Sequence, residues 1–327
     1  MAKPSLIVYN APYQQESLFH STWFTNLVSQ HFNTQPWSGS VVYPDHQVFV
    51  VGCNHWKHEK VRELFRGRRV IVDALWESRT GKWGALGNTV ESQQIMFYGN
   101  LANGHDTRFR FVPNWFWYNE SLWFQARRYH KYRPNPNFAH KFLMPIGHYR
   151  DWRGRVIDAV QPYLQDCYWS CVEQGQTLPG TIKQKRLDHR LFLSNWYDDT
   201  HFSLVCESAR TMDTAIQFLT EKIYKPVAFY HPFMVVGAPG LLDMLRDQGF
   251  VTFDNIFDES YDTQQDFETK LKIICNNIEN FAWGQRDQET WNRLRHNHAR
   301  FYDFDVVEQG LVRDVVEPML EYIERPQ

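Results

Sequence analysis

The stretch that decides the fold is FSLVCESARTMDTAIQFLTEKIYKPVAFYHPFMVVGAPGLLDMLRDQGFVTFDNIFDESYD, residues 202–262. Its first five residues form a short apolar run with a polar end at Glu207-Ser208, the pattern of a buried strand. A polar loop then leads to Thr220, a residue type whose side-chain oxygen caps helix N-termini. Glu221 and Lys222 fall in the first turn of the helix that follows. A lysine there opposes the helix dipole, so Lys222 is costly without an anion beside it. The free N–H groups of that turn, together with Lys222, suit a phosphate. Glu221 is placed to accept hydrogen bonds from hydroxyls such as a ribose diol. Beyond the helix, His231-Pro232 precedes the strand FMVVG, and the run from Gly237 to Gly240 lets a ligand approach the backbone closely. A helix over 239–248 stops at Gly249, as a left-handed cap requires, and 251–253 is expected to be one more strand. Strands alternating with helices at this spacing imply an α/β unit with a parallel sheet.

The flanks keep the same rhythm. Upstream, strands are expected at 5–9, 47–52, 68–75, 95–98 and 108–112, with helices at 17–31 and 56–65. Nearer the central stretch, strands are expected at 141–145 and 191–195 and a helix at 153–164. From residue 266 the pattern is helical almost to the end. Between the two series lies ARRYHKYRPNPN, residues 126–137, which is basic, contains proline and lacks hydrophobic period. It is read as an exposed connector whose cations could also meet phosphates. The expected organisation is therefore two α/β halves, 1–137 and 138–327, facing across a ligand-binding cleft.

At this point the sequence resembles a known family. Glu207-Ser208, then Thr220-Glu221-Lys222, then a strand ending in Gly237, resembles the donor-binding segment of α-1,3-fucosyltransferase-like glycosyltransferases. That family's pattern is E-N-S, then T-E-K and a helix, then a P-V-x-x-G strand. Upstream, Phe142-Leu143-Met144 followed by Arg150-Asp151-Trp152-Arg153 resembles the family's strand and helix-opening arginine. The resemblance covers roughly 138–265. The block 240–262 is closest in character to fucosyltransferase-like proteins of bacteriophages and other viruses. The chain departs from the pattern at Ser208, where the family has asparagine. What the resemblance implies is a GT-B fold, two Rossmann-like domains with an acceptor-side first domain and a nucleotide-sugar-binding second one. It also implies that Arg153 and Lys222 hold a nucleotide diphosphate and that Glu221 holds the ribose. Glu207, Ser208, Thr220 and Gly237 complete the donor-binding set.

An inverting transfer needs a carboxylate to deprotonate the acceptor hydroxyl. Parallel strands deliver functional side chains at their carboxyl ends, so the candidates are Asp73 and Glu77 in IVDALWES, with His55 behind them. No metal or cofactor is expected. The pairs His55/His58, Cys167/Cys171 and His296/His298 lack a third ligand at metal-site spacing; Cys167 and Cys171, four apart, are expected on one helix as buried thiols. Asp198-Asp199 reads as a loop pair. No GxSxG, GxxxxGK[ST] or GxGxxG occurs. The aromatic run Trp115-Phe116-Trp117-Tyr118, with Trp123-Phe124, has the look of core packing rather than a sugar platform.

Composition sets the outer bounds. The chain has 327 residues, 43% of them apolar and 22% charged, which excludes a disordered chain. A net charge of −2 gives no general pull toward nucleic acid or anionic membrane. The five cysteines, an odd number, and the absence of a leader-like start or a long apolar stretch point to a reduced cytoplasmic protein, in the host cytoplasm if phage-encoded. The expected activity is metal-independent transfer of a sugar from a nucleotide-diphosphate donor, GDP-linked first. The acceptor would be a glycan, a metabolite or a modified DNA base. The competing readings are a non-catalytic module on a degenerate transferase fold and a phage DNA-base-modifying transferase. Convergence of Arg153, Glu221 and Lys222 on one place discriminates between a transferase and a module.

Overall fold

The apolar runs of the first half become a parallel sheet buried on both faces, which is why they read as nearly continuous hydrophobics. The computed structural model describes residues 3–9, 22–36, 48–52, 58–74, 90–91, 93–98, 108–180, 194–208 and 219–324. In chain order the first elements are β1 (Ser5–Tyr9), α1 (Thr22–His31), β2 (Asn33–Pro36), β3 (Val48–Gly52), α2 (Glu59–Leu64), β4 (Arg69–Ala74), β5 (Gln94–Tyr98), β6 (Phe109–Phe111) and α3 (Trp115–Ala126). Their sheet has the order β2-β1-β3-β4-β5-β6, every pair parallel. Val48–Val51 on β3 and Val70–Ala74 on β4 are buried, and Phe49 packs on Phe65 with ring centroids 5.1 Å apart. Each valine, isoleucine and phenylalanine among them stabilises by about 1.5–3 kcal/mol when taken from water.

The second series is β7 (His140–Ile146), α4 (Asp151–Val160), β8 (Tyr168–Cys171), α5 (Asn195–Asp199), β9 (Thr200–Cys206), α6 (Glu221–Ala228), β10 (Phe233–Val236) and α7 (Leu241–Asp247). Helices α8 (Phe267–Glu279), α9 (Gln288–Phe301), α10 (Phe304–Leu311) and α11 (Glu317–Glu324) follow, with one π-helical turn at Val312–Val316. The second sheet runs β10-β9-β7-β8, again parallel throughout. Every residue of β9 and β10 is buried. The architecture is thus α/β with two parallel sheets. Among the described residues no helix is long and apolar enough to cross a membrane.

The compact units do not divide at 137/138. One comprises Met1–Tyr118 with Asp305–Gln327, the other Asn119–Phe304. The basic segment belongs to the second unit because it is bonded into it. Tyr132 donates to Asp198 at 2.5 Å, the Asn135 N–H donates to the same carboxylate at 2.8 Å, and the Asn137 N–H donates to the Asp198 carbonyl at 2.9 Å. The C-terminal helix returns to the first unit. Tyr322 donates to the carbonyls of Val70 and Gln93, and Arg69 donates to the Ile323 carbonyl at 2.9 Å.

Several elements differ from the sequence reading. Cys167 and Cys171 do not share a helix: Cys171 ends the buried strand β8. Asn195 opens helix α5, not a strand's end, and 191–193 lie outside the described residues. Residues 251–253 form no strand, because side chains take their backbone groups. Asn297 bonds both the N–H and the carbonyl of Val251 at 2.8 Å, and Glu259 accepts from the Phe253 N–H at 2.7 Å. The polar edge strand β2, NTQP, has no apolar signature to announce it. Trp115, Trp117, Tyr118 and Phe124 are buried in α3 and serve as core.

Candidate functional site

The order β10-β9-β7-β8 reverses direction between β7 and β9. From β7 the chain moves outward to β8, and from β9 it moves the other way to β10. In open parallel sheets the ligand crevice lies outside the carboxyl ends of the strands at such a reversal. The residues there are the loop after Ile146, Glu207-Ser208 after Cys206, and Gly237 after Val236. Helix α6 brings its N-terminus to the same group.

Arg153 ties the reversal together. It is the third residue of α4 and only 5% exposed. Its guanidinium donates to the carbonyl of His148, beyond β7, at 2.9 Å. It also donates to the carbonyls of Cys206 and Glu207, beyond β9, at 3.3 and 2.8 Å. Burial lowers its pKa, with the neighbouring carboxylates Glu207 and Glu221 acting the other way. The side chain expected to face a diphosphate therefore faces backbone oxygens. The cation exposed at this point is Arg150, the residue that precedes the first turn of α4. It donates to the carbonyl of Tyr149 at 2.9 Å. The sequence signal was the pair of arginines three apart in RDWR. The spacing did not say which of the two turned inward.

Glu207 is fully buried and its carboxylate accepts three hydrogen bonds. It accepts from the Thr220 hydroxyl at 2.5 Å, the Thr220 N–H at 3.1 Å and the Ser208 N–H at 3.2 Å. Burial raises its pKa, opposed chiefly by the nearby Lys222. Thr220 has extended backbone and caps α6 as its residue type predicts, accepting from the Lys222 N–H. The Lys222 ammonium then reaches three oxygens: Ser208 Oγ at 2.8 Å, Thr220 Oγ1 at 3.0 Å and Glu221 Oε1 at 3.0 Å. Its unfavourable position against the helix dipole is offset by that cage. Ser208, where the family pattern has asparagine, is part of the cage.

Gly237 serves the packing of this group. A Cβ there would lie 2.5 Å from Leu241 Cδ1 and 3.3 Å from Glu207 Cβ. Its carbonyl accepts from the buried Lys270 at 2.9 Å. The loop after β7 is pinned by Glu173, which accepts from the Tyr149 N–H at 2.6 Å and bonds His148 Nδ1 at 2.8 Å. That pair was not singled out in the sequence, since 25 residues separate His148 from Glu173.

The structure thus brings Arg153, Glu207, Ser208, Thr220, Glu221, Lys222 and Gly237 into one group within the second unit. Asp73 is apart from them in sequence and unit. It is buried on β4, in register with Gly52 of β3 and Phe97 of β5. Glu77 and His55 lie outside the described residues.

No protein-family model and no curated protein matches the chain by sequence. Solved structures match it by fold. An α1,3-fucosyltransferase structure covers 100% of this chain and 92% of its own, with a TM-score of 0.55 at 9% identity. The same kind of enzyme solved with GDP gives a TM-score of 0.52 over the same shares, and with GDP-fucose 0.53 over 100% and 93%, each at 10% identity. The chain is similar to α1,3-fucosyltransferase in fold from end to end, and its two parallel-sheet α/β units are those of the GT-B class.

Proposed function

We propose that the chain is a glycosyltransferase that moves a sugar from a nucleotide diphosphate, GDP first, to an acceptor hydroxyl with inversion. The observation that carries this reading is the group at the strand-order reversal, where Lys222, Glu221 and Arg150 stand at two helix N-termini. It lies in a chain with the fold of an enzyme solved with GDP-fucose. Lys222 and Arg150 meet the diphosphate charge, aided by the first-turn N–H groups of α6. Glu221 anchors the ribose diol. Arg153 is a positioning residue that holds the two strand-end loops. A carboxylate at the carboxyl end of β4, Asp73, or shortly after it in sequence, Glu77, takes the acceptor proton. The acceptor oxygen then bonds the anomeric carbon, and the carbon–oxygen bond to the diphosphate breaks with its electron pair leaving on the nucleotide. With cations and helix ends neutralising that charge, no chelated metal is required for donor binding.

The test is calorimetry and thermal shift with GDP, UDP, ADP, CMP and dTDP. A nucleotide at 100 times its Kd adds about 2.7 kcal/mol of apparent stability. GDP is expected to stabilise the wild type. It is expected to bind Lys222→Ala and Arg150→Gln at least about tenfold more weakly, the scale of one lost charge-assisted hydrogen bond. Arg150→Gln should keep the wild-type melting temperature, whereas Arg153→Lys should lower it. No nucleotide binding by a folded wild type would sink the reading in favour of a non-catalytic module.

A further inference from the structure

We propose that residues 127–133 of the second unit are a docking surface for the phosphate backbone of a nucleic acid. The surface shares no residue with the donor site and is independent of the transferase reading. In ARRYHKYRPNPN the cations Arg127, Arg128, Lys131 and Arg133 are interspersed with the rings of Tyr129, His130 and Tyr132. The fold sorts the two kinds: the four cations are exposed and the three rings are half-buried. Tyr129 packs edge-on against Phe124 and Phe229, with centroids 5.6 and 5.4 Å apart, and Tyr132 packs against Phe229 at 5.1 Å. Tyr132 also lies 6.5 Å from Tyr230, which stacks on His298 of α9 with centroids 4.0 Å apart. His130 meets Tyr302, at the end of α9, at 6.1 Å. The segment is seated by its rings and presents its charge to water.

A solvated connector needs none of this anchoring. The backbone is also strained among the cations: Arg128 has a φ of 64°, in the left-handed region that residues with a Cβ seldom adopt. Strain of that kind persists only where the surroundings impose it, and it collects at functional surfaces. Pro134 and Pro136 then restrict the chain as it leaves. The four charges are therefore held in fixed positions, which lowers the entropy lost when a ligand binds them.

The charges are held but not neutralised. None of the four has a carboxylate partner among the described residues, whereas Arg293 of the same unit pairs with both Asp254 and Glu289. The carboxylate bonded to this segment, Asp198, accepts from the Tyr132 hydroxyl and the Asn135 N–H instead. Arg133 donates to the carbonyl of Tyr132 at 3.0 Å. Arg127 lies over the Trp123 ring, 4.0 Å from its centre. Guanidinium donors lie in the plane of the group, so stacking fixes the arginine and leaves them free for phosphate oxygens. Four like charges this close in sequence repel one another, and a polyanion relieves that repulsion. The residue types point to its chemistry. Three of the four are arginine, whose fork meets two phosphate oxygens at once. Insertion into a lipid surface requires exposed apolar side chains beside the cations. Among the described residues the large exposed ones, Leu64 and Trp283, lie outside this segment. A phosphodiester backbone in water needs only charge and donors.

The test is fluorescence anisotropy of a labelled mixed-sequence DNA single strand and of the corresponding duplex, titrated with the full chain. Binding is expected at low salt, and the duplex complex should weaken about a hundredfold between 50 and 200 mM salt, the loss for about four phosphate contacts. The chain's net charge of −2 gives no general attraction to DNA, so binding reports a local surface. Arg128→Gln/Arg133→Gln, at two exposed positions and with the Trp123 stack intact, should make the salt slope shallower by about two. Changing Arg127 and Lys131 to Gln as well should abolish binding. Lys222→Ala should bind as wild type does, and so should the charge-matched control Lys60→Gln/Lys272→Gln, also at exposed positions. Binding to either form of DNA with this pattern supports the proposal, and the tighter one names the form. Failure of both to bind a folded wild type at 50 mM salt overturns it. So does a salt slope that the double variant leaves unchanged, or that the control changes equally. Sedimentation with phosphatidylserine vesicles, against phosphatidylcholine vesicles, is run in parallel. Binding to the anionic vesicles without binding to DNA would replace the nucleic acid by a membrane surface.

Discussion

The hydroxyl of Thr220 donates to Glu207 and accepts from both the backbone and the ammonium of Lys222. One oxygen thus joins the cap of α6 to the charge pair that the proposed donor site depends on. Thr220→Val keeps the shape but leaves a buried carboxylate short of a donor and an ammonium short of an acceptor. The expected loss is about 2–3 kcal/mol of stability, combining a lost cap with a broken charged hydrogen bond. Thr220→Ser retains the oxygen and should stay within about 1 kcal/mol of wild type. Urea denaturation of the two variants checks the contrast; equal losses would show that packing, not the hydroxyl, is what matters. At this scale much of the site was legible. Capping chemistry is local, so Thr220, Glu221 and Lys222 could be read from three consecutive letters. The direction of Arg153 was not, because its acceptors are carbonyls at the ends of two strands that only the folded sheet brings together.

Among the elements, strands buried on both faces announced themselves, as VFVVG and FMVV did, because burial leaves no choice but continuous apolar residues. Elements defined by partners rather than by pattern did not. Edge strand β2 is polar, and the four-residue spacing of Cys167 and Cys171 suggests a helix where YWSC forms β8. The opposite error at 251–253 has the clearest physical cause. The run VTF has strand composition, but its backbone is claimed by side chains from outside. Asn297, buried on α9, makes with Val251 the two hydrogen bonds a neighbouring strand would make. Asn297→Ala should therefore cost about 2–4 kcal/mol, since it strands one backbone donor and one acceptor at about 1–3 kcal/mol each. Asn297→Asp should be almost as costly, because it keeps an acceptor for the N–H but loses the donor to the carbonyl. Denaturant midpoints decide it. A loss under about 0.5 kcal/mol in both variants, the range of ordinary surface changes, would show that water replaces the amide and that α9 does not stand in for a strand.

For the molecule as a whole, buried titratable groups set two opposing trends in stability with pH. His201, His231 and His298 are buried, and burial pushes each well below the usual imidazole range, His201 and His298 to about 4. Their contribution is fully present above the unfolded histidine value of about 6.5 and is lost as pH falls toward their folded values. Glu207, Glu259 and Asp262 are raised by burial. Their contribution is present at low pH and is lost as pH rises through their folded values. Between about pH 6.5 and 5 the unfolded chain takes up histidine protons, which works against the native state, whereas the raised carboxyls favour the native state as pH falls. The net profile is then flatter than either set alone would give. Removing one histidine exposes its share. In His298→Phe the stacked ring remains and the titration does not. Relative to wild type this variant should gain about 2 kcal/mol between pH 7.5 and 5, most of it below about pH 6.5, where the slope nears the limit of about 1.36 kcal/mol per pH unit for one proton. Measuring both proteins in urea at pH 7.5, 6.5, 5.5 and 5 gives the difference directly. A difference that stays constant with pH would mean that His298 titrates alike in the folded and unfolded chains, and that its ring nitrogens reach water after all.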